Sequence, residues 1–291
     1  MHRIGWKRYK AMLKDELLTL FEENRDTSMS GQMLADRFHV SRNAVWKAVN
    51  QLKQEGHAIV SDQAKGYRLS GGSDVISEAG LRAFLEKRPD LNIDVYNELD
   101  STNNEAKRRL GNGDHRDILI LADHQTGGRG RMGHTFFSPA GTGIYMTLSL
   151  ELGKTLYHPE RITLAAAVAV VRALSPWLDE DPGLKWVNDI FYKGKKVAGI
   201  LSEAVTDLET GLIQHVIVGI GLNIRPMEFP EELKDIAGSF GLASPSRNEL
   251  IARITNELFE LYRDLEDDSF MEEYLRYSIH PDKVKRELGL K

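Results

Sequence analysis

The sequence predicts an α+β protein in two parts: a small helical module with a hairpin, then a larger body built on a mixed or antiparallel sheet. Three observations predict it. Charge is divided along the chain, with residues 1–70 carrying a net +4 and the remainder −9 within a total of −5. In the body, apolar segments of strand length come mostly as neighbours joined by short turns, with helical patterns between some of them. Gly71-Gly72-Ser73 supplies a short flexible break between the two parts. At 291 residues the chain is long enough for two or three domains, and its 41% apolar content supports a sizeable core. No apolar run approaches the roughly 18 residues of a membrane span, and the N-terminus lacks the apolar core of a secretory signal. A cytoplasmic protein without a membrane partner is expected. The absence of cysteine excludes disulfides, thiolate metal sites and cysteine nucleophiles.

In the first part, residues 14–23 read as a helix with Leu17, Leu18 and Phe21 inward. Ser30 is placed to cap a helix over 32–38, in which Met33, Leu34 and Phe38 fall at helical spacing. After a turn at His39-Val40, Ser41 caps a third helix with Val45, Val49 and Leu52 at i, i+4 and i+7, and Gly56 stops it. Residues 58–60 and 67–69 are short strands about a turn at 62–66. Three helices with a tight turn before the last, then a hairpin, resemble a winged helix-turn-helix. Arg42, Asn43 and Lys47 lie on the early outer face of the third helix, where a recognition helix reads base edges and phosphates, and Lys65 and Arg68 ride on the wing. The other reading is a helical protein-interaction module; the positive charge of this part weighs against it.

The body opens with a helix at 78–86 and a strand at 93–99, leading to Asp100-Ser101-Thr102-Asn103-Asn104. Ser101 or Asp100 is placed to cap the helix that follows; alternatively these hydroxyls and amides point into a pocket at the strand end. A strand at 117–124 delivers residues 125–138, with four glycines in the seven residues 127–133 and Arg129 and Arg131 set between glycines. This frees the backbone where two non-titratable cations are presented, which is chemistry for anions. The loop leaves through Phe136, Phe137 and Pro139, as a segment closing over a ligand would, although a solvated surface loop has the same polarity.

A third strand at 143–152 precedes a buried helix over 158–178. Residues 184–192 and 196–205 form a hairpin about Lys193-Gly194-Lys195, and its embedded Lys185, Asn188, Asp189 and Lys196 join the arginine loop in one cationic pocket wall. The strand at 212–224 contains Gly219-Ile220-Gly221, a weak dinucleotide signal; glycines in a strand more often permit a close approach. Helices at 231–236 and 247–266 complete the body, followed by a charged, poorly patterned tail. The expected division is 1–70 for the DNA-binding module, 71–77 for the linker, 78–268 for the larger body and 269–291 for the tail.

Five motifs in this order resemble the biotin protein ligases: Asp100-Ser101-Thr102-Asn103, Gln125-Thr126-Gly127-Gly128-Arg129-Gly130-Arg131, Lys185-Trp186-Val187-Asn188-Asp189, Lys196-Val197-Ala198-Gly199-Ile200-Leu201 and Gly219-Ile220-Gly221-Leu222-Asn223. With the winged helix in front, the chain resembles the bifunctional ligase and repressor type over roughly residues 14–265. The resemblance implies a class II synthetase-like catalytic domain that adenylates biotin with MgATP. It would then biotinylate a lysine on the biotin carboxyl carrier domain of a biotin-dependent carboxylase. Biotinyl-5′-AMP would be both intermediate and corepressor, promoting a homodimer that binds operator DNA of biotin synthesis or uptake genes.

By the same resemblance, Arg129, Arg131 and Lys196 are catalytic, and biotin is held by Ser101, Thr102, Asn103, Gln125, Gly128, Gly130 and Gly199 together with those three. ATP is held by Arg131, His134, Phe136, Lys185, Asn188, Lys196 and Asn223, with Asp189 toward magnesium. The departures are His134 where Arg is common, expected to make a weaker or pH-dependent contact, Phe136 for Trp and Val187 for Pro. The family's small C-terminal β-barrel, about fifty residues on the usual size of such modules, has no counterpart within 269–291; either this is a natural short form or that domain is missing. Two other functions fit some of these residues: a catalytically inactive biotin sensor that binds DNA, and a lipoate or octanoate ligase of the same superfamily.

Overall fold

The computed structural model describes residues 3–152, 158–206, 212–263, 265 and 267–289, with side chains from Leu13 onward. It forms two compact units, Met1–Leu85 with Ser244–Ala252, and Glu86–Ala243 with Arg253–Lys291. The first contains α1 (Arg3–Glu23), α2 (Gly31–Arg37), α3 (Arg42–Gln54), the hairpin strands β1 (Ile59–Asp62) and β2 (Gly66–Leu69), and α4 (Glu78–Arg82). The hydroxyls of Ser30 and Ser41 accept from the backbone N–H of Met33 and Ala44, fixing where α2 and α3 begin. Leu17, Phe21, Leu34, Val45, Val49, Leu52 and Leu69 are fully buried between them. Each such side chain contributes roughly 1.5–3 kcal/mol against about 1 kcal/mol for a cap, so packing sets the stability and the caps set the boundaries. At the wing, Asp62 Oδ1 accepts from the N–H of Ala64 and Lys65. Gly66 has φ +93°, and a β-carbon there would meet Met29 O at 2.1 Å, so the turn requires glycine.

Three expectations change in this unit. Met33 is 44% exposed rather than inward. Arg68 is ion-paired to Asp26 at 2.8 Å, so its charge is shared within the wing. The stretch after the wing is no free linker: Arg25 donates to Gly71 O and Ser73 O at 3.0 and 2.7 Å, and Asp74 accepts from Arg247 N at 2.7 Å and from its Nε at 3.1 Å. The unit accordingly runs on to Leu85 rather than stopping at 70, and takes in Ser244–Ala252 as well. The glycine pair reads as loose because its restraints come from residues far away in sequence.

The second unit carries β3 (Asn92–Leu99), α5 (Thr102–Gly111), β4 (Ile118–Gln125), β5 (Gly143–Glu151), α6 (Glu160–Leu174), β6 (Gly183–Lys185), β7 (Asp189–Tyr192), β8 (Lys195–Thr206) and β9 (Ile213–Asn223). Helix α7 (Arg247–Tyr262) has its first six residues in the other unit, and α8 (Ser269–Tyr277) and α9 (Pro281–Leu288) follow. The seven strands run β3-β4-β5-β9-β8-β7-β6. Among the described residues only β3 and β4 are parallel neighbours, joined through α5; the other neighbours are antiparallel, so the sheet is mixed. Residues of α6 are buried almost throughout, as its apolar run requires.

Here too the structure corrects details. Residues 184–192 are two strands, β6 and β7, paired Lys185 to Asp189 about a turn at 186–188. Nothing in Trp186-Val187-Asn188 carries the glycine or proline that marks a reversal. The helix expected to reach 178 ends at Leu174 before a short 3-10 turn, Ser175–Trp177, and 231–236 holds only one such turn, Glu231–Leu233. Helix α7 ends at Tyr262, and residues 264 and 266 of the expected helix lie outside the described residues. The tail is folded: Phe270, Met271 and Tyr274 of α8 are buried, and Ile279 N–H donates to Leu184 O at 2.9 Å. Its charge obscured a short amphipathic pattern; residues 290 and 291 lie outside the description. Among the described residues no helix is long and apolar enough to cross a membrane.

His57 gives the first unit a pH dependence. It is 4% exposed, its Nδ1 has no hydrogen-bond partner, and burial pushes its pKa down from 6.5 to about 4. Glu55 opposes this shift, while Lys14 and Arg25 reinforce it. The unfolded chain takes up this proton near 6.5 and the folded one near 4. Stability is therefore full above the first value and falls, by up to about 3 kcal/mol, as pH drops toward the second. Urea unfolding between pH 7 and pH ~4.5 is expected to show this loss, and His57→Gln to flatten it; an unchanged slope in the variant would assign the loss to other groups.

Candidate active site

The site is organised on one face of the sheet. Cross-strand partners share a face, so Asp189, Gly199, Gly221 and Tyr145 form one row across β7, β8, β9 and β5. Leu201, Gly219 and Thr147 form the next row. Two side chains rest where the glycines leave space. A β-carbon at 219 would stand 2.1 Å from Asn103 Oδ1, and one at 221 would stand 2.8 Å from the Phe136 ring, which also lies 3.6 Å from the corresponding point at 199. Gly219-Ile220-Gly221 is thus a pair of recesses that seat the first turn of α5 and the end of the arginine loop.

Ser101, Thr102 and Asn103 are all buried at the start of α5. Ser101 occupies the N-cap position, but its hydroxyl makes no capping bond. Gln125 Oε1 accepts from Thr102 N and Oγ1 at 2.9 and 3.2 Å, and Gln125 Nε2 donates to Ser138 Oγ at 3.0 Å. Thr147 Oγ1 lies 2.7 Å from Thr102 Oγ1 and 2.6 Å from Asn103 Oδ1. The Asn103 amide donates in turn to Leu201 O at 3.2 Å and Glu203 Oε2 at 3.0 Å. Asn103 is therefore fully engaged inside the protein, bracing Leu201 and Glu203 of β8, and Thr102 and Gln125 belong to the same network. Thr147, Ser138 and Glu203 were not singled out in the sequence, because isolated polar residues in strands or loops carry no local signal.

The arginine loop is itself a small hairpin. Gly130 N donates to His134 O at 2.7 Å and Phe136 N to Gly128 O at 2.9 Å. Gly128 has no room for a side chain, since a β-carbon would stand 2.3 Å from Phe136 O. At the tip, Met132 has φ +55° and is 94% exposed. Residues 127–135 with Leu201 and Glu203 surround a cavity of about 360 Å³. Arg129 Nη1 donates to Asn104 Oδ1 at 3.2 Å, and Arg131 Nη1 reaches Asn188 Oδ1 at 3.5 Å.

Behind the loop, Lys196 Nζ is 2.7 Å from Asp189 Oδ1 and its Cε packs at the Gly199 recess. Asn188 and Asn223 hold backbone: their Nδ2 groups donate to Ile200 O at 3.0 Å and Gly238 O at 2.9 Å. Asn223 Oδ1 is buried without a hydrogen-bond partner, which leaves an acceptor available. Lys185 lies 5.3 Å over the Phe191 ring on the outer part of the sheet, and His134 is exposed at the loop. Of the residues expected at the site, Gly128, Arg129, Gly130, Arg131 and His134 line this cavity; Asn188 meets it through Arg131, and Phe136 and Lys196 pack together at Gly199. In the other unit, Arg42, Asn43, Lys47 and Lys65 are exposed, and so is Trp46 beside them on α3.

Comparison with known proteins finds matches for both units. The Biotin/lipoate A/B protein ligase family matches residues 96–223, and an HTH domain matches residues 14–68. The chain is 35% identical over 261 residues to the bifunctional ligase/repressor BirA of Bacillus subtilis (strain 168), covering 88% of this chain and 80% of that one. The chain belongs to the biotin protein ligase family. Its identity to the bifunctional ligase/repressor BirA of Escherichia coli (strain K12) is 27% over 232 residues, covering 79% and 70% of the two chains. Its fold resembles the biotin protein ligase from Aquifex aeolicus in complex with biotin and ATP, with TM-score 0.54 and 28% identity over 65% of this chain and 79% of that one.

In this ligase-family fold the two strand glycines should tolerate a methyl group unequally. At 219 the obstacle is a buried amide with partners on three sides, whereas at 221 it is the far edge of one ring. Gly219→Ala is expected to destabilise the second unit by about 2–3 kcal/mol, and Gly221→Ala by less than about 1.5 kcal/mol while shifting Phe136. Thermal unfolding of both variants checks the order; equal losses would mean that Asn103 can move aside.

Proposed function

We propose that this chain is a biotin protein ligase that also acts as a biotin-dependent transcriptional repressor. The observation that carries the enzymatic reading is the pair Arg129 and Arg131, which line one cavity with the neutral amides of Asn104 and Asn188 as their hydrogen-bond partners. Their charge is available to a ligand. In the proposed first step a carboxylate oxygen of biotin attacks the α-phosphorus of ATP, the bond to the β-phosphate oxygen breaks, and pyrophosphate leaves. Two anions approach each other in that step, so cations fixed beside them lower its barrier. Lys196 adds a third cation by exchanging Asp189 for substrate oxygens. In the second step the ε-amine of a carrier-domain lysine attacks the acyl carbon, AMP leaves, and the lysine nitrogen loses a proton.

Thr102 and Gln125, with Ser101, offer hydrogen bonds to the ureido ring, a neutral polar group that needs partners when buried. Phe136, seated over Gly199 and Gly221, offers a face against the adenine. Asn223 contributes its spare acceptor on the nucleotide side. Among the described residues no group of three carboxylates or histidines could hold a metal ion, and Asp189 is paired with Lys196. Asp189 is the protein carboxylate that would face magnesium brought with ATP, which would supply neutralising charge at the phosphates.

The regulatory half of the proposal rests on the winged unit. Arg42, Asn43, Lys47 and Lys65 present cations and an amide outward, and Arg68 contributes less because Asp26 holds it. Biotinyl-5′-AMP is proposed to favour a homodimer that sets two such units on a two-fold operator. The carrier is proposed to be the biotin carboxyl carrier domain of a biotin-dependent carboxylase.

Biotin-dependent pyrophosphate exchange with MgATP, and retained biotinyl-adenylate in a native mass spectrum, are the expected results. Lys196→Ala should lower exchange by ~100-fold or more. A wild-type protein that binds biotin and DNA without exchange is a sensor, and preferential protection by lipoate would reassign the acyl group. His134→Arg is expected to lower the KM for ATP severalfold; an unchanged value would remove residue 134 from the nucleotide site.

A further inference from the structure

The arginine loop is held to the start of α5 by contacts whose chemistry has a direction. Gly127 N donates to Asp100 O at 2.8 Å, fixing the base of the loop two residues before Arg129. The Asp100 carboxylate is clamped by Arg108, whose Nη2 donates to Oδ1 at 2.7 Å and Nη1 to Oδ2 at 3.2 Å. Asn104 lies between this carboxylate and the loop. Its Nδ2 donates to Asp100 Oδ2 at 2.7 Å, and its Oδ1 accepts from Arg129 Nη1 at 3.2 Å. An ionised carboxylate only accepts, so the amide has one orientation: nitrogen toward Asp100, oxygen toward Arg129. Hydrogen bonds from Arg108 hold the Asp100 carboxyl well below the usual range, keeping that orientation in force at any working pH.

We propose that Asn104 is the positioning residue for Arg129: its amide, oriented by Asp100 and Arg108, aims the guanidinium without neutralising it. This rests on the adenylating role proposed for Arg129. A carboxylate in place of the amide would lose the bond to Asp100 and would compete with the anionic ligand for the arginine's charge, whereas a neutral amide keeps both contacts, fixes direction and leaves the field intact. The family motif identified in the sequence ends at Asn103, so Asn104 supplies this contact from outside it.

The test uses the intact protein and three variants, Asn104→Ala, Asn104→Asp and Asp100→Asn. One readout needs no substrate: the rate at which trypsin cuts after Arg129 and Arg131, followed by mass spectrometry. Losing one hydrogen bond should speed these cuts about fivefold to tenfold in Asn104→Ala. Asp100→Asn, which no longer dictates the amide orientation, should speed them in the same direction. Asn104→Asp, which keeps an acceptor for Arg129 but loses the bond to Asp100, should be cut more slowly than Asn104→Ala. The second readout is biotin-dependent pyrophosphate exchange, in which Asn104→Ala and Asn104→Asp should both lose kcat by about the same factor. The loss in Asn104→Asp should ease as salt rises.

Parent-like cutting and exchange in Asn104→Ala would overturn the positioning role, and parent-like exchange in Asn104→Asp would overturn the need for a neutral partner. A parent protein without any exchange would overturn the adenylation reading instead. The order of cutting rates would then decide alone whether Asn104 holds the loop.

Discussion

The catalytic unit depends on two absent β-carbons. At Gly219 and Gly221 the sheet is thinned on one face, and the space is taken by an amide from the helix that follows β3 and a ring from the loop that follows β4. Without those recesses, Asn103 would lose the seat in which Thr147, Leu201 and Glu203 satisfy it, and Phe136 would lift from β8 and β9. The site is therefore assembled by steric subtraction on a rigid sheet, with a polar network filling what is removed. A buried network of this kind stabilises only when each member is paired, which ties the pocket's geometry to the packing beneath it.

Electrostatics then divides the work. Lys196 already has an anionic neighbour in Asp189, whereas Arg129 and Arg131 face neutral amides. One cation must give up a partner when an anion arrives, and two need not. The arrangement keeps a base of exchangeable charge at the sheet and an anchored pair at the rim, where glycines at 127, 128, 130 and 133 let the backbone turn tightly.

Much of this was legible in the sequence wherever the information was local. Caps at Ser30 and Ser41, the stop at Gly56, the strand periods and the glycine-arginine loop were each fixed by neighbours a few residues away, and the structure has them. The misses share the opposite property. Asp26 takes up Arg68, Arg25 and Arg247 tie down the segment after the wing, and Glu203 braces Asn103 from a strand a hundred residues on. Long-range polar pairing leaves no period in the chain. The reversal between β6 and β7 was hidden for a different reason, since an apolar, aromatic run reads as strand whether or not it doubles back.

The folded tail has a consequence for the sheet's exposed margin. Strand β6 is an edge of only three residues, and the contact of Ile279 N–H with Leu184 O, alongside the parallel bridge from Ser278 to Leu184, occupies part of its open side. An uncovered edge is a template on which another chain can add a strand. The last helices thus act as an edge guard, and shortening the chain ahead of Ser269 would exchange a sealed margin for an adhesive one.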